Sequence, residues 1–264
     1  MDYNEWISPI MELIREAGDK IMEIYEQGNG MNVSLKEDDS PVTTADLESN
    51  RILTQGLKKL TPEIPIVSEE NKEVPYEKRK NFARFWIIDP IDGTKEFVNH
   101  LDEFTIHLAL IEGEEVVLGF IFAPVFDEMY YAAKDQGSWS ITPEGKKQLK
   151  GHEVNYKEEG VRIMRSRSNL DPKTSEYIEN FDDPELITMG SGLKFTRLIT
   201  GDADYYPRAR TNMQEWDIAP AQIILEEAGG GIFEWNTGEP LRYNKENLKV
   251  TGFHAVSSGV LPED

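Results

Sequence analysis

With 264 residues, 39% of them hydrophobic and 10% aromatic, the chain is long enough to bury a substantial core and too apolar to be disordered. It contains no cysteine, which excludes disulfides, thiolate nucleophiles and cysteine-ligated zinc or iron–sulfur centres. Acidic residues number 49 against 28 basic ones, a net charge of −21, and such a surface repels nucleic-acid polymers and anionic membranes. No stretch approaches the roughly 18 apolar residues of a membrane-spanning helix, and MDYNEWISPI has neither the n-region nor the h-region of a secretion signal. The expectation is a cytoplasmic chain.

Ile7, Ile10, Met11, Ile14, Ala17, Ile21 and Ile24 recur at helical spacing, with Gly28 as a stop, and predict an amphipathic helix. A second helix is expected from about Ala45 to Leu60, beginning at Thr43-Thr44 and ending before Thr61-Pro62. Ile64 to Val67 reads as a short strand leading into Ser68-Glu69-Glu70, and Asn71 to Lys80 as a charged surface excursion. The run Phe85 to Ile88 predicts a buried strand that stops at Pro90, because proline cannot continue a ladder. Asp89 and Asp92 then sit on the following turn, before Gly93-Thr94.

Further strands are expected at Phe104 to Ile111, Val116 to Phe122 and Glu128 to Ala133, with Gly113 in a hairpin between the first two. Lys146 to Glu159 reads as a polar loop or sheet edge. A short strand near Val161 follows, then helices around Thr174 to Asn180, Leu193 to Thr200 and Asp217 to Ala228. Gly229-Gly230-Gly231 ends the last helix, and a strand resumes over Ile232 to Trp235. The pattern is two α/β halves: 1–155, carrying most of the candidate acids, and 156–264, closing a shared cleft.

The acids stand at structural punctuation points. A carboxylate pair at a strand end, with no cation between its members, is costly unless a divalent ion neutralises it. Asp46 and Asp217 each sit near a helix start, where the dipole alone favours an acid by about 0.3–1 kcal/mol; Glu69-Glu70 also reads as a solvated turn. Together the set suggests a hard cation with oxygen ligands, magnesium above all, and two such ions clamp the oxygens of an in-line phosphoryl displacement. His100, His107, His152 and His254 show no zinc-site spacing and read as structural or surface residues. Neither a G-x-S-x-G elbow nor a Walker A or G-x-G-x-x-G sequence is present.

WIIDPIDGTKEF, preceded by IVSEE and followed by EWDIAPAQIILEEAGG, resembles the magnesium-dependent, lithium-sensitive phosphatase superfamily of inositol monophosphatase and fructose 1,6-bisphosphatase. SLKEDDSPVTTAD, the Lys95-Glu96-Phe97 extension, GSGLKF and YYPR resemble its 3'(2'),5'-bisphosphate nucleotidase branch of the bacterial CysQ type. The resemblance implies a layered α/β/α/β/α sandwich and two or three Mg2+ ions. It assigns Glu69, Asp89 and the Ile91 carbonyl to the first ion, with Asp89 bridging to a second held also by Asp92 and Asp217. Glu70 would serve a weaker third ion or its waters. Thr94, partnered by Asp46, would orient and deprotonate the attacking water, while the Gly93 and Thr94 N–H groups face the phosphate. Hydrolysis would be direct, without a phosphoenzyme. A homodimer is the common assembly of the superfamily, and peripheral inner-membrane association is compatible with it.

Gly190 to Phe195 places Ser191, Gly192 and Lys194 at a predicted helix start, an arrangement that attracts a second phosphate, or else a plain glycine turn. Arg208 adds a planar cation suited to phosphate, or else a solvent-exposed loop arginine. In inositol monophosphatases a glutamate follows the corresponding Tyr-Tyr and binds the inositol ring. Here Pro207 to Gln214 holds no carboxylate but has Arg208 and Arg210, which favours a doubly charged nucleotide. Adenosine 3',5'-bisphosphate fits, with Ser191, Gly192, Lys194 and Arg208 near its 5'-phosphate. The alternatives are an inositol-1-phosphate or broad sugar-phosphate monophosphatase, and a magnesium- or phosphate-responsive binding protein.

Overall fold

The computed structural model describes residues 3–27, 34–35, 41–167 and 171–262. Gly28, the expected helix stop, and residues Lys36 to Ser40 of the first motif lie outside them. The chain opens with α1 (Asn4–Gln27), a two-residue pair β1 (Ser34–Leu35) and β2 (Pro41–Val42), and α2 (Thr44–Leu60). Thr43 caps α2, its hydroxyl accepting from the Ala45 and Asp46 N–H groups. The Asp46 carboxylate closes the reciprocal bond to the Thr43 N–H at 2.8 Å.

Then come β3 (Ile66–Ser68), the short α3 (Tyr76–Arg79), β4 (Arg84–Asp92), α4 (Thr94–Val98), β5 (Thr105–Glu112), β6 (Glu115–Ala123), β7 (Glu128–Ala133), β8 (Ser138–Thr142) and β9 (Gly145–Leu149). In space β3 to β9 form one seven-stranded sheet in chain order, antiparallel except for the β3–β4 pair. The second half adds β10 (Arg162–Ser166), α5 (Pro172–Ile178), β11 (Glu185–Met189), α6 (Leu193–Thr200), β12 (Tyr205–Arg208), α7 (Glu215–Ala228), β13 (Gly231–Glu234) and β14 (Phe253–Val256). Its strands make a five-stranded sheet ordered β11-β10-β12-β14-β13.

The period-two alternation of β4 explains the layering. Trp86 and Ile88 point to one face, where Ile10, Ile14, Ile21, Leu53 and Leu57 of α1 and α2 cover them. Phe85 and Ile87 point to the other face, against Ile218, Ile223 and Leu225 of α7 and Phe195 and Leu198 of α6. The far side of α6 and α7 packs on Met164, Tyr206, Ile232 and Phe253 of the second sheet. Beyond that sheet, Ile178 of α5 joins Ile163, Tyr205 and Val256 in a third cluster. The order is α1/α2, seven strands, α6/α7, five strands, α5: the expected α/β/α/β/α sandwich.

Two expectations need correction. The strand does not stop at Pro90: β4 runs to Asp92, and a shift of register between Asp89 and Asp92 accommodates the proline. The Pro90 carbonyl is held from α2 by the buried Ser49 hydroxyl at 2.9 Å. The stretch 71–80 is not merely a surface excursion, since Arg79 is only 1% exposed. Its stem and guanidinium turn inward onto the 244–246 loop.

Candidate active site

The expected acids converge. Glu69 follows β3, Asp89 and Asp92 lie in β4, and Asp217 stands in the first turn of α7, where its carboxylate accepts the Gln214 N–H at 2.8 Å. Ligand oxygens of Glu69, Asp89 and Asp217 all lie within 4.8 Å of one another. Burial, and then the neighbouring charges of Glu69, Asp92, Asp217 and Asp46, push the Asp89 carboxyl well above the usual carboxylate range. Burial does the same to Asp217, followed by the charges of Asp92 and Glu69. Three carboxylates in one spot, with Asp89 and Asp217 raised in proton affinity, are the donor set of a hard divalent cation, so the residues fit Mg2+.

Behind the triad, Thr94 Oγ1 lies 3.1 Å from Asp46 Oδ1 and 3.3 Å from the Ile91 carbonyl. Asp46 is 1% exposed and further fixed by the Thr43 N–H and hydroxyl. Burial raises its pKa, and the hydrogen bonds from Thr43 and Thr94 lower it in part. Gly93 links the strand to α4 with φ +97°, a conformation that disfavours other residues. A Cβ there would meet the Glu103 carbonyl and Ser191 Cβ at 2.8 Å.

The triad opens into a cleft of about 230 Å³. Of the expected residues, Glu69, Asp89, Ile91, Asp92, Gly93, Thr94, Ser191, Lys194, Arg208 and Asp217 line it. Asp46 stands behind Thr94, while Glu70 and Gly192 do not line the cleft. The start of α6 is engaged by Asp92. Its Oδ2 accepts the Ser191 hydroxyl at 2.7 Å and the Gly192 N–H, and its carbonyl also accepts from Ser191 at 2.8 Å. Gly192 is required by close approach, since a Cβ would collide with His107 Nε2.

On the opposite wall the cations are buried. Lys194 is 5% exposed and its Nζ donates to the Ser191 carbonyl at 2.5 Å. Arg208 lies in β12 rather than an exposed loop, is 4% exposed, and among the described residues hydrogen-bonds at a long 3.4 Å to the Tyr206 hydroxyl and the Arg210 carbonyl. Among the described residues its buried Nε has no hydrogen-bond partner. Among the described residues neither cation forms an ion pair within 4.0 Å of a carboxylate.

A sequence model of the inositol monophosphatase family matches residues 2–260. The 3'(2'),5'-bisphosphate nucleotidase CysQ of Salmonella typhimurium is 36% identical over 251 residues, covering 95% of this chain and 99% of its own. The chain belongs to the inositol monophosphatase family, within its CysQ-type branch. Among solved structures of that family, CysQ from Bacteroides thetaiotaomicron superposes with a TM-score of 0.82 at 31% identity, covering 94% of this chain and 96% of that one. The Thermotoga maritima IMPase superposes at 0.78 with 29% identity, covering 97% and 92%.

For this inositol monophosphatase family member, the sequence did not single out several residues that complete the site. Ser166, Tyr206, Asn212 and Met213 line the cleft with Lys95 and Glu96. Glu103 accepts the Gly190 N–H at 2.7 Å and Arg167 at 2.5 Å, tying the two halves together at the cleft mouth. His107, fully buried and read from sequence only as structural or surface, contacts the Thr105 hydroxyl at 3.1 Å, which in turn reaches Ser191 at 3.0 Å. Glu96 and Lys95 stood inside a quoted motif; Glu103 and His107 carried no sequence signal, because their partners are distant in the chain.

Proposed function

We propose that this chain is a divalent-metal-dependent phosphatase of bisphosphorylated nucleotides, hydrolysing the 3'-phosphate of adenosine 3',5'-bisphosphate to give AMP and phosphate. The observation that carries the reading is the pairing, in one cleft, of a carboxylate triad with two buried cations that, among the described residues, form no ion pair within 4.0 Å of a carboxylate. A buried guanidinium with an unpaired Nε is costly unless an anion joins it. A substrate with one phosphate at the triad and a second at Lys194 and Arg208 satisfies both walls, and the CysQ relatives support that substrate class.

Glu69, Asp89 and Asp217, with Asp92 and the Ile91 carbonyl, are the candidates to hold two or three Mg2+ ions. When bound, the ions supply Lewis-acid polarisation of the phosphate and lower the pKa of bound water. The remaining work falls to the chain. Thr94 Oγ1 orients the attacking water and takes up its proton as its own hydroxyl proton passes to Asp46 Oδ1, 3.1 Å away. The raised pKa of Asp46 suits it to that acceptor role. The main-chain N–H groups of Gly93 and Thr94 are the candidates to hold the phosphate oxygens. Water oxygen then joins phosphorus as the bond to the ribose 3'-oxygen breaks, and the departing 3'-oxygen takes a proton from solvent water to leave as the hydroxyl of AMP.

One observation favours the inositol-phosphate reading. Glu96 brings a carboxylate into the cleft from α4, a group able to accept from ring hydroxyls where 207–214 offers none. The test is phosphate release with Mg2+ from adenosine 3',5'-bisphosphate, inositol 1-phosphate and fructose 1,6-bisphosphate. We expect the nucleotide to lead in kcat/KM. Preference for inositol 1-phosphate would keep the acid site and overturn the roles given to Lys194 and Arg208. Absence of turnover would point to a binding protein.

A further inference from the structure

Two buried charged residues outside the cleft remain without a role in this chemistry. Glu215 is fully buried and Arg79 is 1% exposed, yet neither lines the cleft. They grip the same loop, Glu215 by its N–H groups and Arg79 by its acceptors. The Glu215 carboxylate accepts the Asn244 N–H at 2.7 Å and the Lys245 N–H at 2.9 Å. The Arg79 guanidinium donates to Asn244 Oδ1 at 2.5 Å and to the carbonyls of Lys245 at 2.7 Å and Glu246 at 3.2 Å. Both ends of that loop use left-handed backbone, with φ +65° at Asn244 and +53° at Leu248.

The loop in turn holds the segment that delivers Asp217. The Glu215 N–H donates to the Leu248 carbonyl at 2.8 Å, and the Val250 N–H donates to Met213 at 3.0 Å. Met213 lines the cleft, and the next residue, Gln214, gives its N–H to the Asp217 carboxylate. A chain of short contacts therefore runs from Arg79, through loop 244–248, to the first turn of α7. Charge-assisted bonds to buried groups are the strong kind, and losing one partner strands the other.

We propose that Arg79 and Glu215 are positioning residues that set the place of Asp217 in the carboxylate triad, and with it the affinity for divalent cations, without touching cation or substrate. The inference rests on reading the triad as a cation site. Outer partners of metal ligands typically govern about 10–100-fold in affinity.

The test is Mn2+ binding to the purified full chain by electron paramagnetic resonance, for wild type, Glu215→Gln and Asn244→Gly. Asn244→Gly keeps the left-handed backbone and the N–H that Glu215 accepts, while removing the Arg79 bond to the Asn244 side chain and leaving those to the Lys245 and Glu246 carbonyls; it decides the matter if Glu215→Gln does not fold. Ile21→Val in α1, on the far side of the first sheet, serves as a destabilised control. We expect Glu215→Gln to bind Mn2+ about 10–100-fold more weakly, Asn244→Gly to be weakened in the same direction, and the control to match wild type. Binding by both folded variants within a factor of about two of the control would overturn the proposal. Failure of wild type itself to bind Mn2+ would instead overturn the reading of the triad, and the proposal with it.

Discussion

Replacing Asp89 by asparagine should make the metal-free protein more stable. The ligand oxygens of Glu69, Asp89 and Asp217 lie within 4.8 Å of one another. At such a separation and an effective dielectric of about 20, each like-charge pair costs about 3 kcal/mol when both members are ionised. Solvent at the half-buried Glu69 and Asp217 relieves much of this, so we expect a net gain of about 2 kcal/mol. Asparagine keeps the volume and retains an acceptor for the Ile91 N–H that Asp89 now receives at 3.0 Å. For a chain of this size the gain corresponds to a Tm higher by about 4–8 °C.

The assay is calorimetric unfolding in EDTA near pH 7.5, repeated near pH 5 and with added Mg2+. The pH arm carries its own sign. Asp89 is raised above its ordinary 3.8 in the folded state, first by burial. Between those two values the folded state binds more protons than the unfolded one, so stability is lost as pH rises through that window. The advantage of Asp89→Asn should therefore shrink near pH 5, and Mg2+ should stabilise wild type more than the variant. A variant less stable than wild type in EDTA at pH 7.5, or an advantage that does not change with pH, would refute the argument.

Thr94→Ala should lower kcat by about 10²–10⁴-fold while the protein stays folded, measured by steady-state phosphate release and circular dichroism. Lys194→Ala should raise KM for the bisphosphate far more than for a nucleoside monophosphate; equal effects on both would remove its second-phosphate role. Gly93→Ala, forced to φ +97° with a Cβ 2.8 Å from the Glu103 carbonyl, should cost about 1–3 kcal/mol and lower kcat, read by thermal melts beside activity.

What could be read from the sequence had a local cause. Strands β4, β5 and β6 are apolar on both faces because helices cover both, and such runs announce themselves. The helix ends at Thr43 and Gly229 follow from cap chemistry within a few residues. Glu69, Asp89, Asp92 and Asp217 likewise stand at element ends and meet at one cleft, whereas Glu70 does not line it. Strands β8, β11, β12 and β14 were not anticipated: each is four or five residues long, and β12 contains Pro207. The pairing of β12 with β14 comes from partners such as Tyr205 with Val256, fifty-one positions apart. Arg79 shows the same limit, since a charged residue in a charged stretch reads as solvated until Asn244 is seen beside it.

The sandwiched position of α7 has a consequence for the order in which the protein is made. Until residues 215–228 leave the ribosome, Phe85, Ile87, Ala109, Ile111 and Ile121 lack α7, the longer of the two helices in the layer that covers them. At about 5–20 residues per second, the face of the first sheet waits several seconds for its lid. A chain halted at residue 155 keeps that face bare for good, a ready surface for self-association. The acid triad has the same schedule, because its last member, Asp217, arrives on the helix that closes the core.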